Sequence, residues 1–272
     1  MPEIKNNVVI IGPGKLLRLE RKRDAVEILG IIALLLPTLA FLANGGLAGV
    51  TDAAGWFNAF NRLTALVGTS LLLIHMVLVA RVPWLERTLG LDKLTHAHKR
   101  LGKPLLYLLL IHTITALISY SISDGVNIIT SLINLVGGYF ELLLAAVGLI
   151  LMIAVVISSI NAARRKLSYE AWYIVHLLSY ASVMLAIPHQ FSTGSDIAGK
   201  PIQQTFWIAL YVFVAVNLVW YRILSPVVKS LRHNLRVDRV VRESSDTVSV
   251  YIGGKRLETI GGKAGQFYLL RI

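Results

Sequence analysis

The sequence predicts an all-α membrane protein, a bundle of six transmembrane helices followed by a short β segment. Three observations predict it. Apolar residues make up 55% and charged residues 15% of the 272 residues, with a mean hydropathy of +0.66, so the chain has too little charge to cover its apolar surface in water. Six apolar runs have the length of a membrane span. The basic residues concentrate on alternate connections between these runs.

The six apolar runs are each about 17–23 residues long, enough to cross roughly 30 Å of hydrocarbon at 1.5 Å per residue. They are predicted at 25–43, 62–82, 103–121, 138–160, 171–189 and 203–222. The connections expected outside, at 44–61, 122–137 and 190–202, are rich in Gly, Ser, Asn and Asp and short, so no sizeable outer domain is expected.

The basic residues orient the spans. Of the 27 lysines and arginines, 25 lie before the first run, between the second and third, after the fourth, or after the sixth, and only Arg62 and Lys200 lie on the other connections. This positive-inside pattern predicts a multi-pass protein of the plasma membrane with both termini in the cytoplasm. It also accounts for the net charge of +12 without a nucleic-acid partner. The absence of cysteine excludes iron–sulfur clusters and thiol catalysis in this chain.

The tail beyond His233 alternates apolar and polar residues in three segments, 235–243, 246–252 and 266–271, with glycine pairs between them. This is the pattern of short antiparallel strands. Forty residues of strand do not close a barrel, so we expect them to open a soluble domain that continues in a longer natural chain. The predicted domains are therefore a cytoplasmic N-terminal segment (1–24), a transmembrane domain (25–225) and a β segment (226–272).

Four of the seven histidines lie in or at the ends of the third and fifth spans. His98 and His112 are 14 residues apart and His176 and His189 are 13 apart, which is roughly 20 Å along a helix. Because both spans cross in the same direction, His98 is level with His176 and His112 with His189. Two facing imidazoles at one depth are what a haem iron needs as axial ligands. The pattern therefore predicts two haems, one near each leaflet.

Helix geometry supports the four positions unequally. His98 and His112 fall within about 40° of each other on an ideal helix, whereas His189 falls about 140° from His176. Pro188 precedes His189, so we expect the helix to be perturbed or to have ended there.

The other histidines carry weaker patterns. His75 has no histidine at a matching spacing and is expected to be structural. His96 is expected at the interface and is the alternative inner ligand if the register differs, and His233 is expected to be an ordinary cytoplasmic residue. The segment 8–14 resembles a strand entering a dinucleotide loop, but Leu17 stands where the third glycine is required, so no nucleotide site is expected there.

Three basic residues are further site candidates. Lys99 and Arg100 lie where the carboxylates of an inner haem would emerge, although positive-inside anchoring explains them equally well. Arg62 begins the second span on the outer side and is the candidate catalytic residue, either holding an outer carboxylate or stabilising a reduced anionic product.

Several of these residues carry a family resemblance. The motifs Arg81–Glu86, Leu91–Leu94 and His98–Gly102, with the next histidine 14 residues after His98, resemble the ferric reductase-like transmembrane domain of bacterial ferric reductases and NADPH oxidases. The tail segments Asp246–Val250 and Ala264–Phe267 are similar to the opening strands of a ferredoxin-reductase-type FAD-binding barrel. The resemblance covers about residues 20–272.

The resemblance implies a mechanism. NAD(P)H would reduce FAD on the cytoplasmic side, and electrons would pass through two b-type haems, held by His98 with His176 and by His112 with His189, to ferric iron or oxygen outside. The spacings of 14 and 13 are those of the family. Ala116 stands where animal oxidases carry a further histidine, which puts oxygen in doubt as the acceptor. The flavin and nucleotide motifs would lie beyond residue 272, so FAD and NAD(P)H are implied for the full-length protein, through a flavin domain that continues the chain.

Two other functions fit part of the pattern. A haem-only relative that takes electrons from quinol and serves a periplasmic partner has the same histidines, but the flavin-barrel opening in 235–272 counts against it. A transporter with histidine-lined polar sites is disfavoured by the scarcity of intramembrane acids and of broken, glycine-rich paired helices.

Overall fold

The computed structural model describes residues 13–259. The α-helices of this part are α1 Pro13–Ala43, α2 Ala53–Leu78, α3 Pro83–Leu89, α4 Leu91–Asp124, α5 Ile128–Gly138, α6 Phe140–Ser159, α7 Asn161–Arg164, α8 Tyr169–Ser192, α9 Pro201–Asn217 and α10 Ser225–His233. A π-helix, Leu218–Leu224, links α9 to α10, and a short 3₁₀ helix covers Leu257–Thr259. The strands are β1 Arg236–Arg242 and β2 Val248–Gly253.

Six helical stretches among residues 13–259 are long and apolar enough to cross a membrane, which confirms the predicted six-span bundle. They are Leu16–Ala43, Ala53–Leu78, Leu91–Asp124, Phe140–Ser159, Tyr169–Ser192 and Pro201–His233. Large apolar side chains along α1, such as Ile32, Leu35 and Leu39, are exposed on the protein surface. In a bilayer they would face lipid, where an apolar surface carries no cost.

The helices are longer than the apolar runs. α4 begins at Leu91 rather than near residue 103, and α1 begins at Pro13, so the described part of the predicted N-terminal segment is helical. The connection 122–137, predicted to lie outside, contains α5, whose first turn is capped by the Asn127 side chain accepting from Thr130 N–H at 2.9 Å. Such a cap satisfies one of the free N–H groups at a helix start.

The core of the bundle joins the four helices α2, α4, α6 and α8. Its buried apolar side chains come from all four: Leu71, Leu72, Leu105, Leu106, Met152 and Val183. α6 and α8 cross closely where Gly148 meets Ser182, whose hydroxyl donates to the Gly148 carbonyl at 2.7 Å. This packing brings the two histidine-bearing helices, α4 and α8, into the same core.

The chain divides into two compact units, one ending at Ala215 and the other beginning at Val216. In the second, β1 and β2 form an antiparallel pair with Val240 opposite Val250, as predicted for these two segments. His233 is buried there, and its Nδ1 lies 3.0 Å from the Lys255 carbonyl, so it joins α10 to the end of the hairpin. The third predicted strand, 266–271, and most of the glycine-containing segment 8–14 lie outside the described residues.

Candidate functional site

Four imidazoles from α4 and α8 meet in two pairs. The ring centroids of His98 and His176 are 6.1 Å apart with an interplanar angle of 69°, and those of His112 and His189 are 6.4 Å apart with an angle of 31°. None of the four rings is fully exposed. The structure thus brings together the residues that the sequence pairs by depth, and leaves a gap between the rings of each pair.

The width of the gap can be compared with a metal bound between two imidazoles. A metal–imidazole bond is about 2.0–2.1 Å, and the nitrogen lies roughly 1.1 Å from its ring centroid, so two ligands in line have centroids about 6.3 Å apart. The observed separations of 6.1 and 6.4 Å lie on either side of this value. The separation of the rings in each pair therefore matches that of two histidines that bind one ion.

Backbone carbonyls set the tautomer of one ring in each pair. Nδ1 of His98 lies 3.2 Å from the carbonyl oxygen of His75, and Nδ1 of His112 lies 3.2 Å from that of Asn61. A carbonyl oxygen only accepts, so each Nδ1 carries the proton and donates it. The other ring nitrogen, Nε2, then keeps its lone pair, as a metal ligand must.

His176 is held by side chains where α6 ends and α8 begins. Its Nδ1 lies 3.3 Å from the Ser159 hydroxyl, which also accepts from Trp172 Nε1 at 3.2 Å and donates to the Val155 carbonyl at 2.8 Å. The one hydroxyl proton is directed at Val155, so Ser159 accepts from His176 as well. The Trp172 ring stacks on the His176 ring, with centroids 5.0 Å apart. The Arg164 guanidinium lies over the Trp172 ring, 4.8 Å from its centroid.

His189 reaches His112 although the helix does not end there. α8 continues to Ser192 with Pro188 inside it. Nδ1 of His189 is buried, and among the described residues it forms no hydrogen bond of good geometry. The ideal-helix angle therefore understated how near the two rings lie.

The contact between His75 and His98 is one that the sequence did not predict. The His75 ring stacks on that of His98, with centroids 3.7 Å apart and an interplanar angle of 26°. The expectation of a structural residue rested on its lack of a partner on its own helix, whereas the contact forms between α2 and α4. No spacing rule along a single span would have found it.

The remaining candidates lie around these pairs. Lys99 and Arg100 are exposed on α4 beside His98, and Arg100 lines a shallow surface pocket with His96. Arg62 forms a bidentate ion pair with Asp196 in the connection 190–202, Nε to Oδ2 at 2.8 Å and Nη2 to Oδ1 at 2.5 Å. Lys200 approaches the same carboxylate at 3.9 Å. Arg62 follows Asn61, whose carbonyl holds His112.

Residues 64–187 match the family model described as ferric reductase like transmembrane component. This part of the chain is therefore similar to that family. The matched segment includes His75, His98, His112 and His176, and His189 lies just beyond its end. No curated protein and no solved structure matches the sequence.

A ferric reductase-like transmembrane component indicates an oxidoreductase function with electron transfer across a membrane, and the six spans make this a multi-pass membrane protein. No three His, Asp or Glu side chains among residues 13–259 converge as a metal-ion site. Each of the two histidine pairs offers two imidazole side chains. Two axial ligands suit haem, whose ring nitrogens provide the other four positions. The residues present therefore fit the group that this family is generally associated with.

Proposed function

We propose that the chain conducts electrons across the plasma membrane through two b-type haems, an inner one held by His98 and His176 and an outer one held by His112 and His189. The observation that carries the proposal is the pair of imidazole gaps, 6.1 and 6.4 Å between centroids, at two positions along α4 and α8. Bound haem supplies one-electron redox chemistry.

The protein's part is to fix and insulate the ligands. The carbonyls of His75 and Asn61 and the Ser159 hydroxyl orient three of the four rings. Such partners also raise the basicity of the ligand nitrogen. His98 and His112 are separated by about 20 Å along α4, so the pairs lie at different depths of the membrane.

Charged side chains near the two pairs suit the haem carboxylates. Lys99 and Arg100, exposed beside His98, would meet those of the inner haem. Arg62 uses Nε and Nη2 for Asp196 and keeps its Nη1 donors, which would meet an outer carboxylate or an anionic product. Lys99, Arg100 and Arg62 are therefore proposed to anchor the cofactors or the acceptor.

The electron source and acceptor follow the family pattern. We propose that both termini are cytoplasmic and that NAD(P)H reduces FAD there, in a flavin domain that continues the chain. The acceptor outside would be a ferric chelate or oxygen. The two strands β1 and β2 directly follow the sixth span. This position supports a flavin domain that comes after the transmembrane domain in the chain.

Haem content tests the proposal. The purified chain should hold two haems with the reduced-minus-oxidised spectrum of a b-type cytochrome, and His112→Leu should hold one. His96→Leu is the matched control, because His96 is exposed on the same helix, and it should keep both. A wild-type chain without haem, or a His112→Leu variant that keeps two, would overturn the proposed pairs.

A further inference from the structure

A third imidazole lies against the inner pair. The ring of His75, on α2, stacks on the ring of His98 at 3.7 Å between centroids. The same residue's carbonyl accepts the Nδ1 proton of His98. A side chain added to Gly102, one turn beyond His98 on α4, would place its Cβ 3.8 Å from Cε1 of His75. The His75 ring therefore lies along the α4 turn that carries the inner ligand.

The His75 ring has an unsatisfied nitrogen. Its Nδ1 is buried and has no hydrogen-bond partner among residues 13–259. A buried polar atom left without a partner costs about 1–3 kcal/mol, so such atoms in native proteins usually serve a purpose. Because no hydrogen bond with a described residue engages Nδ1, the ring can carry its proton there and present Nε2 as a ligand next to the candidate metal site.

We propose that His75 is an exchangeable axial ligand of the inner haem, able to take the place of His98 opposite His176. The inference rests on the proposed function. The stacked rings of His75 and His98 lie face to face and do not converge on one point, so they would bind in turn. One iron–nitrogen bond breaks and another forms, no electron is transferred, and both imidazoles stay neutral.

The two ligands are not equivalent. Nδ1–H of His98 donates to a carbonyl, which raises the basicity of its Nε2, whereas His75 lacks such a partner on Nδ1. A more basic ligand stabilises ferric over ferrous iron. An inner site that uses His75 should therefore have a higher midpoint potential than one that uses His98.

Haem stoichiometry and redox titration of three variants test the inference. His98→Ala should keep two haems per chain, both low-spin, with the inner midpoint potential raised. His75→Ala should also keep two, and the double variant His75→Ala/His98→Ala should keep one. The outer haem, held by His112 and His189, reports that each variant is folded.

Two results would contradict the role of His75 as a ligand. Loss of the inner haem in His98→Ala alone, or its conversion to a high-spin form, would overturn the role of His75. If the His98→Ala protein loses the outer haem as well, the protein has not folded. The variant His98→Gln, whose side chain is similar in size to histidine, is then tested in its place, with the same expected and contradicting results. A wild-type chain with fewer than two haems would instead contradict the proposed function itself.

Discussion

At the scale of single residues, oxygen atoms around the histidines define the site as much as the rings do. Carbonyl oxygens force His98 and His112 to protonate Nδ1, and Ser159 does the same for His176 because its own proton is given to Val155. These contacts fix the tautomer before any metal is bound. They are also the points at which small changes should tune the redox properties.

Ser159→Ala tests that tuning. The substitution removes the hydroxyl that accepts from His176, so the ligand becomes less basic and the midpoint potential of the inner haem should rise. A hydrogen bond of roughly 1 kcal/mol corresponds to about 40 mV for a one-electron couple. Potentiometric titration of the purified protein measures the shift.

Ser158→Ala is the matched control for this prediction. Its hydroxyl donates to the same Val155 carbonyl, at 2.9 Å, and no contact with a histidine is described for it. The variant should leave both potentials unchanged. Equal shifts in the two variants, or a lowered potential in Ser159→Ala, would show that the hydroxyl does not act through His176.

The histidine pairs were predictable from the sequence, while their surroundings were not. Spacing along two spans that cross in the same direction is enough to set His98 level with His176. The stack of His75 on His98 depends on how α2 packs against α4, and every residue has a carbonyl, so Asn61 and His75 carry no sequence signal as hydrogen-bond acceptors.

At the scale of elements, the site depends on close helix crossings. Where α6 meets α8, a Cβ added to Gly148 would lie 2.8 Å from the Ser182 carbonyl oxygen. Real side chains essentially never approach so closely, so a larger residue must push the helices apart. α8 carries both His176 and His189.

Gly148→Leu should therefore widen both imidazole gaps. We expect the variant to lose both haems together and to unfold at a lower temperature, since overpacking costs about 1–3 kcal/mol. Gly30→Leu on α1 is the control, because a Cβ there would have no neighbour within 4 Å. A Gly148→Leu protein with two haems and unchanged thermal stability would contradict the importance of this crossing.

The positions of the elements were predicted better than their ends. Hydropathy identifies six spans because the length of each apolar stretch must match the thickness of the hydrocarbon core. It does not mark the start of α4, where Lys93, His96, Lys99 and Arg100 make the first turns polar although they are helical. The helix α5 carries a different signal: the connection around it is rich in polar residues, and the cap residue Asn127 marks its start.

At the scale of the whole molecule, the distribution of charge predicts which side of the membrane each connection faces. Single-cysteine variants test it directly, because the chain has no native cysteine. Ser123→Cys lies at the outer end of α4, Lys166→Cys lies between α7 and α8, and both positions are exposed. An impermeant maleimide added to intact cells should label the first alone, and permeabilised cells should show both.

The reverse labelling pattern would invert the inner and outer assignments of the histidine pairs. Equal labelling of both positions in intact cells would contradict the six-span topology. Either result leaves the geometry of the two pairs unchanged, so the orientation of the protein is tested independently of its cofactors.

We propose that electrons cross the membrane through the two histidine pairs, and electron transfer into closed vesicles tests this. Vesicles containing the haem-loaded chain and trapped ferricyanide would receive dithionite outside, and the absorbance of ferricyanide would be followed. We expect the haem-loaded chain to reduce ferricyanide well above the rate in protein-free vesicles, and His112→Leu to return the rate to that background. Wild-type vesicles with two haems per chain and no more reduction than protein-free vesicles would contradict it.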